Sequence, residues 1–135
     1  MLFDFKNNIK KKLYYIIMMR RRNYVNMFSF EQRKAESKRI LEKYPNRVPI
    51  ICERINKTVP ELDKRKYLVP DDLNIGGFMF VIRKRMNISS DKSIFLFVND
   101  STLVPIGQSI KQIYEEHKNK DDFLYIKYGG ESTFG

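Results

Sequence analysis

The spacing of apolar and polar positions changes several times along the chain, and each change marks an element. Ser29 and Gln32 stand at capping-box spacing: the serine hydroxyl accepts from the third helical amide, and the glutamine reaches back to the cap's own N–H. A helix is predicted to start there, with Phe30, Leu41 and Tyr44 on one face and Pro45 ending the pattern. "RVPIICERI" then alternates as a strand does, Val48, Ile50 and Cys52 pointing one way and Pro49, Ile51 and Glu53 the other. Pro49 has no N–H to give a ladder, so it suits a position where that side is unpaired.

"NKTVPELDKR" reads as a turn and "KYLV" as a short second strand closed by Pro70, which suggests a hairpin. Asn74 can cap the next helix, whose Phe78, Val81, Ile82 and Arg85 recur at i, i+3, i+4 and i+7. "SIFLFVND" is a third strand, Ser109 and Gln112 form a second capping box opening the short helix "IKQIYEEHK", and "FLYIKY" is the last strand. This order predicts an α+β chain of the ubiquitin-like β-grasp type: a mixed four-stranded sheet on a central helix, with a preceding N-terminal helix. Fold order alone does not assign a function.

Ahead of Met27 the pattern is different. "MLFDFKNNIKKKLYYIIMMRRRNYVN" sets one seven-residue apolar run, Leu13 to Met19, between basic clusters. The run is too short to span a bilayer, and Arg20, Arg21 and Arg22 stand where a secretory cleavage site needs small residues. Two readings stay open for residues 1–27. They form a basic apolar segment that lies on an anionic membrane or addresses the chain to an organelle, or an inert flexible extension ahead of a start at Met27.

Composition narrows the function classes. With 42% hydrophobic and 31% charged residues the chain is neither disordered nor membrane-spanning in make-up. Its one cysteine, Cys52, excludes an internal disulfide framework, and one histidine, His117, leaves too few ligands for a zinc site of the usual kind. No metal or cofactor is called for, and a reducing, cytosolic location follows. Net charge is +10, but residues 1–26 hold seven Lys/Arg and one Asp, a net +6, which leaves +4 for the rest. So modest an excess does not demand a nucleic-acid partner. An intrinsic catalytic activity lacks parts: His117 sits in "EEHKNKDD" without a matching nucleophile, and Cys52 falls on the inward face of its strand.

The chain ends "FLYIKYGGESTFG", a strand followed by small polar residues closing on a bare glycine. At "EKYPNRVPIICER", "LDKRKYLVPDDL", "GFMFVIRKR" and "DDFLYIKYGGESTFG" the sequence resembles the autophagy ubiquitin-like modifier family, the group containing GABARAP and light chain 3. The resemblance covers residues 28–135, read as a modifier domain whose tail, 129–135, is flexible. It implies a modifier, not an enzyme. The carboxylate of Gly135 would be activated as an adenylate, passed between cysteine thiols of activating and conjugating enzymes and joined to the amine of phosphatidylethanolamine. A deconjugating cysteine protease would release it. A residue without a side chain enters a narrow active-site channel, and a flexible tail lets it reach. An ending on the glycine itself resembles family members encoded already mature.

The resemblance also implies a docking groove for cargo receptors and adaptors that carry an aromatic-x-x-aliphatic motif, the peptide adding a strand beside "KYLV". The pocket for the aromatic residue corresponds to Glu36, Ile40, Pro49, Ile51, Lys66, Leu68 and Phe123. The aliphatic pocket corresponds to Tyr67, Val69, Pro70, Leu73, Phe78, Val81 and Ile82. Burying two anchors contributes about 1.5–3 kcal/mol each, against about 8 kcal/mol for micromolar binding. Strand pairing and charge must supply the rest, and Arg47, Lys64 and Arg65 are placed to meet acidic residues flanking such peptides. The implied location is cytoplasm and the autophagosome or vacuole membrane. The alternatives are an unconjugated binding module for motif-bearing or microtubule-associated partners, and a plastid (apicoplast) membrane role in a parasite.

Overall fold

The computed structural model describes residues 8–14, 22–99 and 102–131. Residues 8–14 are helical (α1). They are followed by α2 (Tyr24–Met27), α3 (Phe30–Lys43), β1 (Arg47–Arg54), β2 (Lys66–Pro70), α4 (Ile75–Met86), β3 (Phe95–Val98), β4 (Thr102–Leu103), α5 (Ile110–His117) and β5 (Leu124–Gly129). The strands lie in the order β2-β1-β5-β3-β4. β1 is parallel to β5 and antiparallel to β2, and β3 is antiparallel to both β5 and β4. This is the expected α+β β-grasp arrangement. It differs by a fifth, two-residue strand, β4, whose exposed Thr102 and Leu103 have no apolar alternation to announce it.

The first capping box forms as predicted: Gln32 N–H donates to Ser29 Oγ at 3.1 Å, and Ser29 N–H donates to Gln32 Oε1 at 2.9 Å. The second forms only by half. Gln112 N–H reaches Ser109 Oγ, but the Gln112 side chain turns down the helix to Glu116 Oε1 at 3.2 Å. The predicted apolar face of α3 is not the buried one: Phe30 and Tyr44 are 43% and 38% exposed, whereas Ser37 and Ile40 are buried. The reason is polar docking. Arg33 Nη1 pairs with the fully buried Asp121 at 2.5 Å, Ser37 Oγ–H donates to Asp121 O at 2.5 Å, and Lys34 pairs with Asp122 at 2.5 Å.

α4 is the central helix. Asn74 Oδ1 accepts from Gly77 N–H at 2.8 Å to start it, and Asn87 in the left-handed conformation ends it. Its buried stripe is Ile75, Phe78, Ile82 and Met86. Val81 and Arg85, predicted on the same face, lie at its margin: Val81 is 37% exposed, and Arg85 pairs outward with Asp63 at 3.0 Å.

β1 is covered on both sides. Val48, Ile50 and Cys52 join the α4 core together with Tyr67, Val69, Leu96, Val98, Leu124, Ile126 and Tyr128. Ile51 joins a second, smaller cluster with Tyr24, Ile40 and Phe123. Cys52 N–H donates to the carbonyl of Arg65, the residue before β2, at 2.7 Å, so alternation turns the Pro49 nitrogen towards β5. The β1–β5 pairing begins one residue later, at Ile50↔Leu124, so the missing N–H of Pro49 costs no ladder bond.

Candidate functional site: the groove beside β2

β2 ends the sheet, so one of its edges pairs with β1 and the other is left open within the sheet. Because Cys52 and Arg65 exchange a backbone bond, residues 65, 67 and 69 turn their main-chain groups towards β1. Lys66 and Leu68 therefore turn theirs outward. That turns two N–H groups and the Lys66 C=O outward for an added strand, while the Leu68 C=O already accepts from Arg47 Nη1 at 3.1 Å.

On one side of this edge the structure brings the aromatic set together. Ile40, Ile51 and Phe123 are in one buried cluster with Leu68 packed against it, and Pro49 is the cross-strand partner of Leu68. Glu36 and Lys66 bridge the rim at 2.8 Å, and Arg39 Nη2 binds the same Glu36 oxygen at 2.8 Å. These hydrogen bonds, from Arg39 first and Lys66 second, hold the Glu36 carboxyl down to about 2 despite partial desolvation. Ile51, which the resemblance places in the aromatic pocket, is 1% exposed. What covers it is α3 and Tyr24, a residue the sequence pattern assigned to the extension.

The aliphatic set divides. Tyr67, Val69, Phe78 and Ile82 belong to the main core, Leu73 packs against it, and Pro70 and Val81 are exposed. The Tyr67 and Phe78 rings meet edge-on at 5.6 Å. Gly77 leaves Leu73 its place, since a methyl there would collide with the Leu73 side chain. Of the basic flank, Lys64 Nζ lies 5.3 Å over the Tyr67 ring, whereas Arg65 is engaged with Glu53 at 2.9 Å and with Arg22 O at 2.5 Å.

Sequence reasoning missed the network of Arg33, Asp121 and Tyr125, in which Tyr125 O–H donates to Asp121 Oδ2 at 2.5 Å and Phe123 N–H to Asp121 Oδ1 at 2.9 Å. It fixes Phe123 at the pocket floor. The signal available was the Asp121 of "KDDF", indistinguishable by pattern from a solvated loop carboxylate. Burial pushes the Cys52 thiol far up, away from the thiolate form. Among the described residues there is no cluster of groups that could hold a metal ion, and no helix long and apolar enough to cross a membrane. Gly135 and most of the 13–19 apolar run lie outside the described residues.

A mixed sheet in the order β2-β1-β5-β3-β4 on a central helix, with the outer edge of β2 unpaired within the sheet, defines a ubiquitin-like protein. The family model described as autophagy protein Atg8, ubiquitin like, matches residues 32–135. The chain is 55% identical over 114 residues to Autophagy-related protein 8 of Candida glabrata, covering 84% of this chain and 96% of that protein. It is 53% identical over 116 residues to Autophagy-related protein 8 of Schizosaccharomyces pombe, covering 85% and 95%. The crystal structure of Trypanosoma brucei ATG8 superposes with a TM-score of 0.78 at 40% identity, covering 84% of this chain and 98% of that one. The chain belongs to the Atg8 family of ubiquitin-like autophagy proteins.

Proposed function

We propose that this chain is a membrane tag, conjugated through the Gly135 carboxylate to phosphatidylethanolamine, that recruits partners bearing aromatic-x-x-aliphatic motifs to autophagosomal membranes. It is the substrate of activating, conjugating and deconjugating enzymes, not a catalyst, and the buried Cys52 thiol agrees with that role. The observation that carries the recruiting half is the open β2 edge: outward Lys66 and Leu68 main-chain groups lie between the Ile40/Ile51/Phe123 cluster and the half-buried Leu73 with the exposed Val81 of α4. An added strand gains main-chain bonds worth about 0.5–1.5 kcal/mol each and places alternate side chains over the two recesses. The conjugating half is supported by family membership and by a family match that runs through Gly135. The autophagy-related relatives favour the autophagosomal membrane, and the plastid alternative gains no support from them.

Gly135→Ala tests the conjugating half. The variant is expected to melt with the wild type while its phosphatidylethanolamine adduct, read by intact mass in a reconstituted conjugation system, disappears. An adduct formed at the wild-type rate overturns the proposal.

A further inference from the structure

The chain leaves the sheet at Gly130, one residue past the end of β5, and that glycine is buried. No described glycine has a positive φ, so backbone conformation does not call for glycine there. Space does. A Cβ at position 130 would stand 3.1 Å from Val59 Cγ1 and 3.7 Å from Ser93 O, the first closer than carbon atoms ordinarily pack. Val59 belongs to the loop between β1 and β2, and Ser93 to the loop between α4 and β3, so the chain passes out through a slot between the two. Val59, Pro60, Ser93, Ile94, Gly130 and Glu131 line one recess. We propose that Gly130 is a positioning residue for conjugation: having no side chain, it seats in this slot, and the slot fixes the point from which the tail is presented to the conjugating enzymes. This rests on the membrane-tag reading above.

Both walls are braced from inside the fold. Val59 is 7% exposed and belongs to the core cluster against α4. Its carbonyl accepts from Arg54 Nη1 at 3.1 Å, and Tyr128 Oη on β5 accepts from Leu62 N–H and donates to Pro60 O, each at 2.9 Å. Opposite, Arg83 of α4 donates to Lys92 O at 2.6 Å and to Ser89 O at 3.1 Å, and Ile94 is buried in the same core. Neither wall yields to a methyl group without disturbing a core contact or a hydrogen bond, so the root of the tail must move instead. Residues 131–135 span at most about 17 Å. An enzyme that grips the body therefore meets the Gly135 carboxylate within a bounded volume, and a root pushed out of the slot shifts and enlarges that volume. Misplacing a reacting group by about 1 Å costs up to about 10²-fold in rate, while the grip on the body is untouched.

The test is a double-mutant cycle on the full chain, conjugated by its activating and conjugating enzymes with ATP on vesicles containing phosphatidylethanolamine, the adduct being read by intact mass. Gly130→Ala is expected to lower kcat about tenfold with KM for the chain unchanged, while its melting temperature and its affinity for the motif peptide match the wild type. In a Val59→Ala background, where the atom that the new methyl would meet is gone, the same substitution should cost less than about twofold. Gly130→Val is expected to be slower than Gly130→Ala, and where Val59→Ala fails to fold, that graded order decides. Equal losses from Gly130→Ala in the two backgrounds, or rates that do not fall from glycine to alanine to valine, overturn the slot. A wild-type chain that forms no adduct overturns the membrane-tag reading itself and the slot with it.

Discussion

The sheet is closed on its two faces by different physics. Against α4 it buries Val48, Ile50, Val69, Leu96, Leu124 and Ile126 with Phe78 and Ile82, an extended apolar cluster. Against α2 and α3 the apolar cluster is smaller, Tyr24, Ile40, Ile51 and Phe123, and the helices are also held by Arg33–Asp121, Lys34–Asp122 and Glu36–Lys66. Apolar burial is non-directional and grows with area, so the α4 face has no cheap way to open. Polar contacts at a rim can be exchanged for a partner's polar groups at little net change. The groove therefore runs along the margin of the second face, where opening is affordable.

The largest effects break the two faces separately. Ile50→Ala is expected to cost about 2–5 kcal/mol by leaving a cavity, and Asp121→Ala about 3–5 kcal/mol by stranding the largely buried Arg33 without its partner. Denaturant melts at neutral pH compare them, and an Asp121→Ala value within about 1 kcal/mol of wild type would show that the polar clamp does not hold the second face. Next in size is Leu68→Ala, which trims the half-buried lip of the groove. It should lower affinity for the motif peptide about tenfold, or 1.4 kcal/mol, with a stability loss of only about 1 kcal/mol. A stability loss matching that of Ile50→Ala would place Leu68 in the core instead.

Acid sharpens the contrast further. Glu36 is held at about 2 when folded, below its ordinary 4.5, so the unfolded chain binds the extra proton between these values. Its contribution is fully present above about pH 4.5 and is lost as pH falls towards 2. Stability measured across that window should fall less steeply for Glu36→Gln than for wild type, and parallel curves would contradict the Arg39–Glu36–Lys66 geometry. The smallest effect belongs to the α4 face. The Tyr67 hydroxyl is buried there with no hydrogen-bond partner among the described residues, so Tyr67→Phe should leave stability in denaturant melts unchanged or raise it by at most about 1 kcal/mol.

Pattern reading was accurate where burial is apolar and periodic, and poor where it is polar. Val48, Ile50 and Cys52 on one face of β1, and Phe78 and Ile82 on α4, follow from side-chain periods of two and of 3.6. The buried side of α3 does not, because Arg33 and Ser37 are polar residues buried for the sake of Asp121, a partner 88 and 84 residues away in sequence. Alternation puts Ile51 on the face opposite Val48, Ile50 and Cys52, but nothing in its own strand announces its burial with Tyr24. β4 is too short to have a period, and the Gln112 side chain chose Glu116 over its cap. The pocket assignments came from resemblance, and spacing alone would have left Phe78 and Ile82 as plain core.

The outward main-chain groups of Lys66 and Leu68 carry a hazard as well as a use. An unpaired edge invites any extended chain, including a second copy of the same edge, and folded proteins guard such edges with charge. Here the guards stand in place: Arg47 already satisfies the Leu68 carbonyl, Lys66 projects from the edge itself, and Pro70 closes the strand with no N–H to offer. Two copies meeting edge to edge would bring Arg47 and Lys66 against their own duplicates. If the chain is the membrane tag proposed above, many copies would share one membrane, and these guards would keep the edge open to foreign acidic strands and closed to its own copies.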